Sequence, residues 1–238
     1  MSFPWTEHIA LVSPHETTLF TRERPYARWR RQRRAGLPLP TLAELLDGER
    51  GRLTLLLGAG LALPLVLPWQ GGLESREEWN AYAALTLAER FGRSADAWRA
   101  SCSLGAYGEA CPAAGVDAAF WDGLQTWLAG TRLKLVSAKP LLSAVADRYA
   151  RQLAPGAALL IVEAHAMQML NLKDGRWQQA LVLPRAAGDT LAQSLFNAVM
   201  LTGLADEPAL VLADPREAVL PASALGWVHP CWSDADEA

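Results

Sequence analysis

The chain has 238 residues, of which 51% are hydrophobic and 20% are charged, and its formal net charge is −3. This composition excludes an intrinsically disordered chain, which would be poorer in apolar residues and richer in net charge. No apolar run reaches the ~20 uninterrupted residues that a membrane-spanning helix needs. The first residues, MSFPWTEH, lack the basic and then apolar pattern of a secretory signal. We therefore expect a globular, cytoplasmic protein.

The chain opens with a predicted β-hairpin. Two short β-prone runs, residues 9–12 and 17–21, flank the turn residues Ser13-Pro14-His15. Turn chemistry between two such runs is typical of a hairpin.

An arginine-rich segment follows the hairpin. Residues 22–34 contain seven arginines and one acidic residue, a local balance of +6, so the rest of the chain carries −9. The sequence Gly36-Leu37-Pro38-Leu39-Pro40 closes the segment, and prolines this close together argue against a regular helix or a central strand. We predict that residues 22–40 form a loop or a mobile basic arm.

Two apolar runs, residues 53–57 and 61–67, are predicted to be buried strands. Pro64 and Pro68 favour an edge position for the second run, because proline cannot donate a ladder hydrogen bond. The intervening Gly58-Ala59-Gly60 lacks the Lys-Ser/Thr pair of a Walker motif and precedes a strand rather than a helix. We interpret it as a loop rather than a phosphate-binding element.

The other predicted elements alternate between helix and strand. Capping signals and helical spacing of apolar residues predict helices at residues 42–46, 77–91, 116–128, 140–153 and 190–201. Strands are predicted at residues 98–104, 133–136, 158–162, 167–172, 177–183 and 209–212. Trp79, Trp121 and Trp127 lie on predicted helices and are expected to be core residues. The pattern predicts an α/β fold with a mixed sheet.

Spaced apolar and tryptophan positions carry a resemblance to a known family. The segments are Leu67-Pro68-Trp69, Glu78-Trp79, Tyr82-Ala83, Phe91-Gly92, Trp98, Leu135-Val136-Ser137-Ala138-Lys139-Pro140-Leu141-Leu142, Val162-Glu163 and Asp174-Gly175-Arg176-Trp177. Over residues 7–214 the pattern resembles bacterial proteins with a degenerate actin-like ATPase fold. These are the cytoplasmic domains of pilus and type II secretion assembly proteins of the PilM, GspL and MshI type.

The resemblance implies an actin-like, ribonuclease H-like architecture with two related halves. Each half would contain a mixed sheet flanked by helices. The first half would cover residues 1–130, including the basic arm at 22–40, and the second would cover residues 131–238 with a C-terminal tail.

Actin-like nucleotide binding, as the resemblance implies, uses acidic and glycine-containing turns of two β-hairpins to hold metal and phosphates. The matching turns here are Ser13-Pro14-His15 and Glu163-Ala164-His165, with neither an Asp-x-Gly pair nor a run of small hydroxyl residues. Phosphate needs exposed backbone N–H groups, which proline lacks. We therefore expect no cofactor and no ATP hydrolysis. If ATP and Mg²⁺ do bind, Glu163 is the candidate cofactor-binding residue, through water; otherwise it is a solvated carboxylate at a strand end.

The histidines do not predict a metal site by their spacing. His8, His15, His165 and His229 are far apart in sequence. If the two hairpin turns meet, His15, His165 and Glu163 could bind zinc or act in acid–base chemistry, whereas isolated turn histidines are solvated polar residues. No catalytic residue is predicted.

The three cysteines, Cys102, Cys111 and Cys231, include no CxxC pair and are an odd number, which argues against a disulfide framework. Cys102 is expected to be an inert strand residue, and Cys111 is expected to be exposed. Trp227 and Trp232 are expected either to cover a domain edge or to form a partner patch.

The arginine segment is the candidate partner-binding surface. Its guanidinium groups could pair with carboxylates of a protein, lie on an anionic membrane, or bind nucleic acid. The acidic remainder of the chain would repel nucleic acid, so docking on an acidic protein surface is favoured. The candidate residues are Arg22, Arg24, Arg28, Trp29, Arg30, Arg31, Arg33 and Arg34.

The function favoured by the sequence is a nonenzymatic scaffold or assembly platform of a type IV pilus or type II secretion-like system. Such a protein would be cytoplasmic or peripheral at the inner membrane, with protein subunits of the machine as partners. Two alternatives stay open. One is an ATP-binding enzyme or switch with an atypical site, and the other is a nucleic-acid-binding protein that uses residues 22–34.

Overall fold

A computed structural model describes residues 6–151, 153, 156–186, 188–202, 210–213, 224–226 and 236–237. Its strands are β1 (Glu7–Ser13), β2 (Glu16–Arg22), β3 (Arg30–Ala35), β4 (Arg50–Leu57), β5 (Ala62–Leu67), β6 (Trp98–Cys102), β7 (Cys111–Asp117), β8 (Arg132–Pro140), β9 (Ala158–Val162), β10 (Ala166–Lys173), β11 (Arg176–Pro184), β12 (Leu210–Ala213), β13 (Ala224–Gly226) and β14 (Asp236–Glu237). Its helices are α1 (Pro38–Leu45), α2 (Arg76–Phe91), α3 (Ala118–Ala129), α4 (Leu141–Tyr149) and α5 (Leu191–Thr202), with a short 3-10 helix at Ala95–Ala97.

Two sheets repeat the same strand order. In the first, β1, β2 and β3 form an antiparallel meander, and β4 and β8 continue in parallel from β1. In the second, β9, β10 and β11 form the meander, and β12 and β13 continue in parallel from β9. This repetition confirms the predicted fold class of mixed sheets in two related halves. The division at residues 130 and 131 stays a prediction; β8, just after it, pairs with the first sheet.

One hydrophobic core joins the two sheets. Its buried side chains come from the first sheet and the segment before β3, from α4, and from the second sheet: Phe20, Trp29, Leu56, Leu141, Leu142, Val145, Ala146, Leu159, Ile161, Leu170 and Ala180. Because α4 contributes four of these residues and contacts strands of both sheets, the halves share apolar surface. Burial of that surface stabilises their association.

The opposite face of the first sheet packs against α1 and α3. Side chains along β1 alternate between the two faces, and Ala10 and Val12 are fully buried on this one. Leu124 of α3 is fully buried in the same cluster, with Trp121 and Trp127 partly buried beside it. Trp121 and Trp127, expected from the sequence to be core residues, pack against this cluster and are partly buried.

A third layer consists of the antiparallel sheet β5–β7–β6 covered by α2. The helix begins with a capping box in which Ser75 and Glu78 each accept the other's backbone N–H, and it ends at Gly92 in the left-handed conformation. Trp79 is 2% exposed in this layer. A Cβ at Gly115 of β7 would lie 2.1 Å from Leu87 Cδ1, so glycine there lets α2 approach the sheet.

The arginine segment is largely a strand, and the prediction of a loop or mobile arm was wrong for this part. β3 pairs with β2 along its whole length, from Thr21↔Arg30 to Glu16↔Ala35. Its arginines fit a strand because the position is peripheral and five of its six residues are exposed. Trp29, just before the strand, is buried in the joint core. Pairing with β2 and burial of Trp29 therefore order a segment whose composition is typical of solvent-exposed chain.

The Pro-rich segment at residues 36–40 also differs from the prediction of a loop. Helix α1 begins at Pro38 and includes Pro40. The first-turn N–H groups of a helix have no acceptor within the helix, so prolines there cost no hydrogen bond. The predicted start at residue 42 was therefore four residues late.

Strand β7 was missed by the sequence patterns. Residues 116 and 117 end this strand, and α3 begins after Asp117, whose carboxylate accepts the N–H of Phe120 at 3.1 Å. Pro140 likewise ends β8 instead of starting α4. In both places residues predicted to start a helix end a strand instead, because pairing with a neighbour overrides local helical preference.

The remaining predicted elements are confirmed to within a few residues. These are the β1–β2 hairpin, β4, β5, α2, β6, the β9–β10–β11 meander, α5 and β12. β5 is an edge strand, as its prolines indicated. The predicted roles of Trp227, His229, Cys231 and Trp232 lie outside the described residues. Among the helices that are described, none is long and apolar enough to cross a membrane.

A buried histidine lies on β1. His8 is 1% exposed; its Nε2 donates to the carbonyl of Arg50 at 3.2 Å and its Nδ1 accepts from the hydroxyl of Thr21 at 3.1 Å. Burial lowers the pKa of His8 below its ordinary value of 6.5, against the opposing effects of the Arg50 carbonyl and the Glu49 carboxylate.

Truncation of either large core side chain should destabilise the protein. We expect Trp79→Ala and Leu124→Ala each to lower the free energy of unfolding by about 2–5 kcal/mol, since each removes buried apolar surface and leaves a cavity. Urea denaturation measures the effect. Leu85→Ala is the matched control, because Leu85 lies on α2 but is 59% exposed. Wild-type midpoints for both core variants would contradict the packing described.

The burial of His8 predicts a specific dependence of stability on pH. The unfolded chain protonates this imidazole near pH 6.5, whereas the folded protein does so only at lower pH. The unfolded state therefore binds more protons in that window, and the free energy of unfolding falls as the pH drops below 6.5.

Removal of the imidazole tests this dependence. His8→Gln should show a shallower pH slope than wild type, by at most about 1.4 kcal/mol per pH unit. Urea denaturation between about pH 7.5 and 5 measures both slopes. Parallel curves for wild type and His8→Gln would exclude the effect.

Candidate functional site

Three turns meet where the strands of the two sheets end. The β1–β2 turn at residues 13–16 and the β4–β5 loop at residues 58–61 follow neighbouring parallel strands, so they lie at one edge of the first sheet. The N–H of Gly58 donates to the carbonyl of Val12 at 2.8 Å and ties the two together. The β9–β10 turn at residues 163–165 comes to the same place from the second sheet. We refer to these three segments as the turn junction.

Glu163 holds the turn junction together. Its Oε1 accepts the backbone N–H of Ala59 at 2.8 Å, and its Oε2 accepts the hydroxyl of Ser13 at 3.2 Å. Gln168 of β10 donates its Nε2 to Oε1 at 2.6 Å. The carboxylate therefore bonds to both turns of the first sheet and to its own hairpin. The prediction that a solvent-facing carboxylate ends β9 was wrong.

Burial and hydrogen bonding act on the pKa of this carboxyl group in opposite directions. Burial raises the pKa of Glu163 above its ordinary value, and the three hydrogen bonds from Ala59, Gln168 and Ser13 partly oppose that effect. Gln168 is fully buried, and its Oε1 has no hydrogen-bond partner among the described residues. The junction thus directs three hydrogen-bond donors at one part-buried carboxylate.

Two glycines make room for this arrangement. A Cβ at Gly58 would lie 2.4 Å from Glu163 Oε2 and 2.7 Å from Ser13 Oγ. Gly60 has a φ of +86°, and a Cβ there would lie 2.8 Å from Pro14 Cγ. The Gly-x-Gly spacing was correctly interpreted as a loop. No local sequence pattern indicated that its central residue, Ala59, donates to a carboxylate of the other half.

The two turn histidines also meet. The rings of His15 and His165 make an edge-to-face contact with centroids 5.1 Å apart. The oxygens of Glu163 are engaged elsewhere, and no group of three or more His, Cys, Asp and Glu side chains within the described residues is arranged to hold a metal ion. The structure brings the predicted pair together, but it does not form the zinc set of His15, His165 and Glu163.

Arg185, which directly follows β11, supports the β9–β10 turn within the second half. Its guanidinium donates to the carbonyls of Glu163 and Asp189 at 3.2 and 2.8 Å and to the hydroxyl of Ser194 at 3.0 Å. Its backbone N–H donates to the carbonyl of His165. This contact ties the turn that carries Glu163 to the start of α5.

Neither described cysteine has the surroundings of a nucleophile. Cys102 is buried and its Sγ donates to the carbonyl of Trp79 at 3.2 Å. Burial raises its pKa to about 12, so the thiol stays protonated at neutral pH. Cys111, predicted to be exposed, is 2% exposed because β7 places it under α2, and burial raises its pKa as well.

The predicted partner-binding arginines lie on and beside β3. Arg22 ends β2, forms an ion pair with Glu7, and places its guanidinium 4.5 Å from the ring centroid of Trp29. Arg24 and Arg28 are exposed in the turn before β3. Trp29 is 9% exposed, so its main contact is with the core.

The arginines of β3 itself pair with acidic side chains of their own half. Arg30 lies 3.4 Å from Glu23, Arg33 pairs with Glu16, and Arg34 pairs with Glu44. Exposed pairs of this kind contribute about 0–1 kcal/mol each. Which arginines contact a partner stays a prediction.

Comparison with known proteins identifies the fold. No family model and no curated protein matches the sequence. The cytoplasmic domain of EpsL, an inner-membrane component of the type II secretion system of Vibrio cholerae, superposes with a TM-score of 0.55 at 11% identity, over 87% of this chain and 81% of that one. The PilM–PilN type IV pilus biogenesis complex gives a TM-score of 0.63 at 14% identity, over 96% of this chain and 89% of that one.

A third solved structure agrees with these two. A Bacteroides thetaiotaomicron protein with an actin-like ATPase fold and unknown function gives a TM-score of 0.57 at 9% identity, over 90% of this chain and 84% of that one. At such identities the likeness is one of fold. The chain has the actin-like fold of pilus and secretion assembly proteins that its sequence resembles.

The space between Gly58 and Glu163 can be tested by a double-mutant cycle. Gly58→Ala should lower the free energy of unfolding by about 1–3 kcal/mol, because the new methyl group displaces the carboxylate from its donors. In the Glu163→Ala background, the loss of free energy of unfolding caused by Gly58→Ala should be smaller than in wild type by at least about 1 kcal/mol. Urea denaturation measures all four proteins. Gly72→Ala is the control, since a Cβ there meets nothing within 4 Å. Strictly additive effects would contradict the contact.

Proposed function

We propose that the chain is a nonenzymatic, actin-like scaffold that serves as an assembly platform in a type IV pilus or type II secretion-like machine. The observation that carries the proposal is the turn junction, where the Glu163 carboxylate occupies the place between two hairpin turns at which actin-like proteins are expected to hold phosphates. The fold neighbours support the choice of machine, since they include a type II secretion component and a pilus biogenesis complex.

The chemistry of the junction is unfavourable for a phosphate. The Ala59 N–H, a donor that an anion would need, already donates to Glu163. Pro14 supplies no N–H to the first turn. A phosphate placed here would face carboxylate oxygens or would have to expel the side chain and lose three hydrogen bonds. The junction works instead as an internal bond between the halves, which suits a protein that holds one shape.

The partners in this proposal are protein subunits of the machine. A platform at the cytoplasmic side of the inner membrane would bind segments of membrane-anchored subunits and keep them in register. The PilM–PilN neighbour is a complex of two pilus biogenesis proteins, which supports a protein as the partner. No nucleotide cycle is required for such a role.

Titration calorimetry with Mg-ATP tests the absence of a nucleotide site. We expect the wild type to bind Mg-ATP more weakly than about 1 mM, and to release no phosphate from it. Glu163→Ala, which removes the carboxylate, is the informative variant, and Glu109→Ala, outside the junction, is the control. Low-micromolar binding that is lost in Glu163→Ala would overturn the proposal in favour of an ATP-dependent enzyme or switch.

Co-expression tests the assembly role separately. Membrane-anchored proteins encoded beside the gene of this chain should co-purify with it in fixed stoichiometry, without added nucleotide. A complex that forms only with hydrolysable ATP would contradict a nonenzymatic scaffold. Failure of every neighbouring gene product to co-purify would contradict the pilus or secretion assignment.

A further inference from the structure

One edge of strand β3 is hydrogen-bonded to β2. The other edge is directed toward the periphery of the first sheet. Its inner side pairs with β2 over all six residues. On its outer side, within the described residues, only β14 pairs with it, and this pairing covers Asp236↔Arg30 and Glu237↔Arg31. A strand edge presents rows of N–H and C=O groups that can accept a further extended segment.

The charges on the two sides of this edge are complementary. β3 carries four arginines in six residues, Arg30, Arg31, Arg33 and Arg34. The segment seated on it comes from the acidic end of the chain, where residues 234–237 include three acids. The chain therefore shows which kind of strand this edge accepts, namely an extended one that carries carboxylates.

The alternation of side chains along β3 places arginines on both faces of the sheet, where each could meet a carboxylate of an added acidic strand. Successive side chains point to opposite faces, so Arg30 and Arg34 share one face and Arg31 and Arg33 share the other. An added strand with carboxylates at successive positions would therefore meet guanidinium groups on either side. The present pairs of Arg30 with Glu23 and Arg34 with Glu44 are more than half exposed, so an incoming carboxylate can exchange with them at small cost.

A charged edge also has a simpler use. Basic side chains on an edge strand deter pairing with other chains and so prevent aggregation. That explanation accounts for the arginines but not for the acidic dipeptide that pairs there in parallel register. Protection alone would work as well with the edge left uncovered.

We propose that the outer edge of β3 binds an extended acidic segment of a protein partner as an added parallel strand, and that the acidic C-terminal segment of this chain occupies the same edge until the partner displaces it. The inference rests on the proposed function in one respect, that the partner is a protein. Main-chain hydrogen bonds supply the binding and the arginines select for carboxylates.

Competition between the two segments gives the proposal a measurable consequence. An intramolecular segment acts at an effective concentration that reaches the millimolar range for short flexible connections. A free peptide therefore binds wild type poorly and binds much better once the chain's own segment is weakened. Exposed charges are screened by salt, so binding also weakens as ionic strength rises.

Fluorescence anisotropy with a labelled peptide of residues 233–238, Ser-Asp-Ala-Asp-Glu-Ala, tests the proposal on the full chain. The Asp236→Lys/Glu237→Lys variant should bind this peptide at least about tenfold more tightly than wild type. Adding Arg30→Glu/Arg31→Glu to that variant should abolish binding of the acidic peptide. Arg30→Glu/Arg31→Glu with the native Asp236 and Glu237 should instead bind a peptide in which the three acids are lysines, because the edge then repels the chain's own acidic segment. Arg52→Glu, an exposed arginine on β4, is the matched control and should change nothing.

A second peptide separates strand addition from charge attraction alone. Proline in place of the residue that corresponds to Asp236 keeps most of the charge but removes a main-chain donor, and it should weaken binding at least about tenfold. The midpoint of thermal unfolding shows whether each variant is folded, and Arg30→Gln/Arg31→Gln replaces the Glu variant if that one unfolds.

Three outcomes would overturn the proposal. They are equal peptide affinity for wild type and the tail variant, equal affinity for the proline peptide, and tighter binding of a single-stranded oligonucleotide than of the acidic peptide. None of them bears on co-purification with membrane-anchored subunits, so the proposed function stands or falls independently.

Discussion

The bond between Glu163 and the first half is the constraint on which the rest of the site depends. One carboxylate accepts the Ala59 N–H and the Ser13 hydroxyl across the boundary between two sheets. This carboxylate is part-buried, and three donors offset the loss of its hydration. The position of the carboxylate explains why Gly58 lacks a side chain, since a Cβ there would lie 2.4 Å from Glu163 Oε2.

The same bond joins the two halves of the actin-like architecture directly. The β9–β10 turn of the second sheet carries Glu163, and the first sheet supplies the Ala59 N–H and the Ser13 hydroxyl to it. The apolar core around α4 supports the same connection over a much larger area.

The arginine-rich strand shows a second way in which tertiary context assigns a role to local chemistry. Seven arginines in residues 22–34 are typical of a solvated arm, yet Trp29 is buried and β3 is paired. Arg22 covers the Trp29 ring and pairs with Glu7, so part of the positive charge stabilises the fold locally. The exposed remainder lies along β3, near the edge of the first sheet.

Local patterns in the sequence were sufficient for the elements with strong signals. The capping box and Gly92 delimit α2, the turn residues delimit the β1–β2 hairpin, and the β9–β11 meander follows from its apolar runs. Spaced tryptophans indicated the actin-like fold. The helix caps and turns were predictable because each depends on residues within a turn or two of one another. Tertiary structure alone decided that β3 is a strand and that Glu163 accepts the N–H of Ala59. The pairing of β2 with β3 and the hydrogen bond from residue 59 to residue 163 join segments that no local periodicity connects, and their energy comes from groups that meet only after the chain has folded.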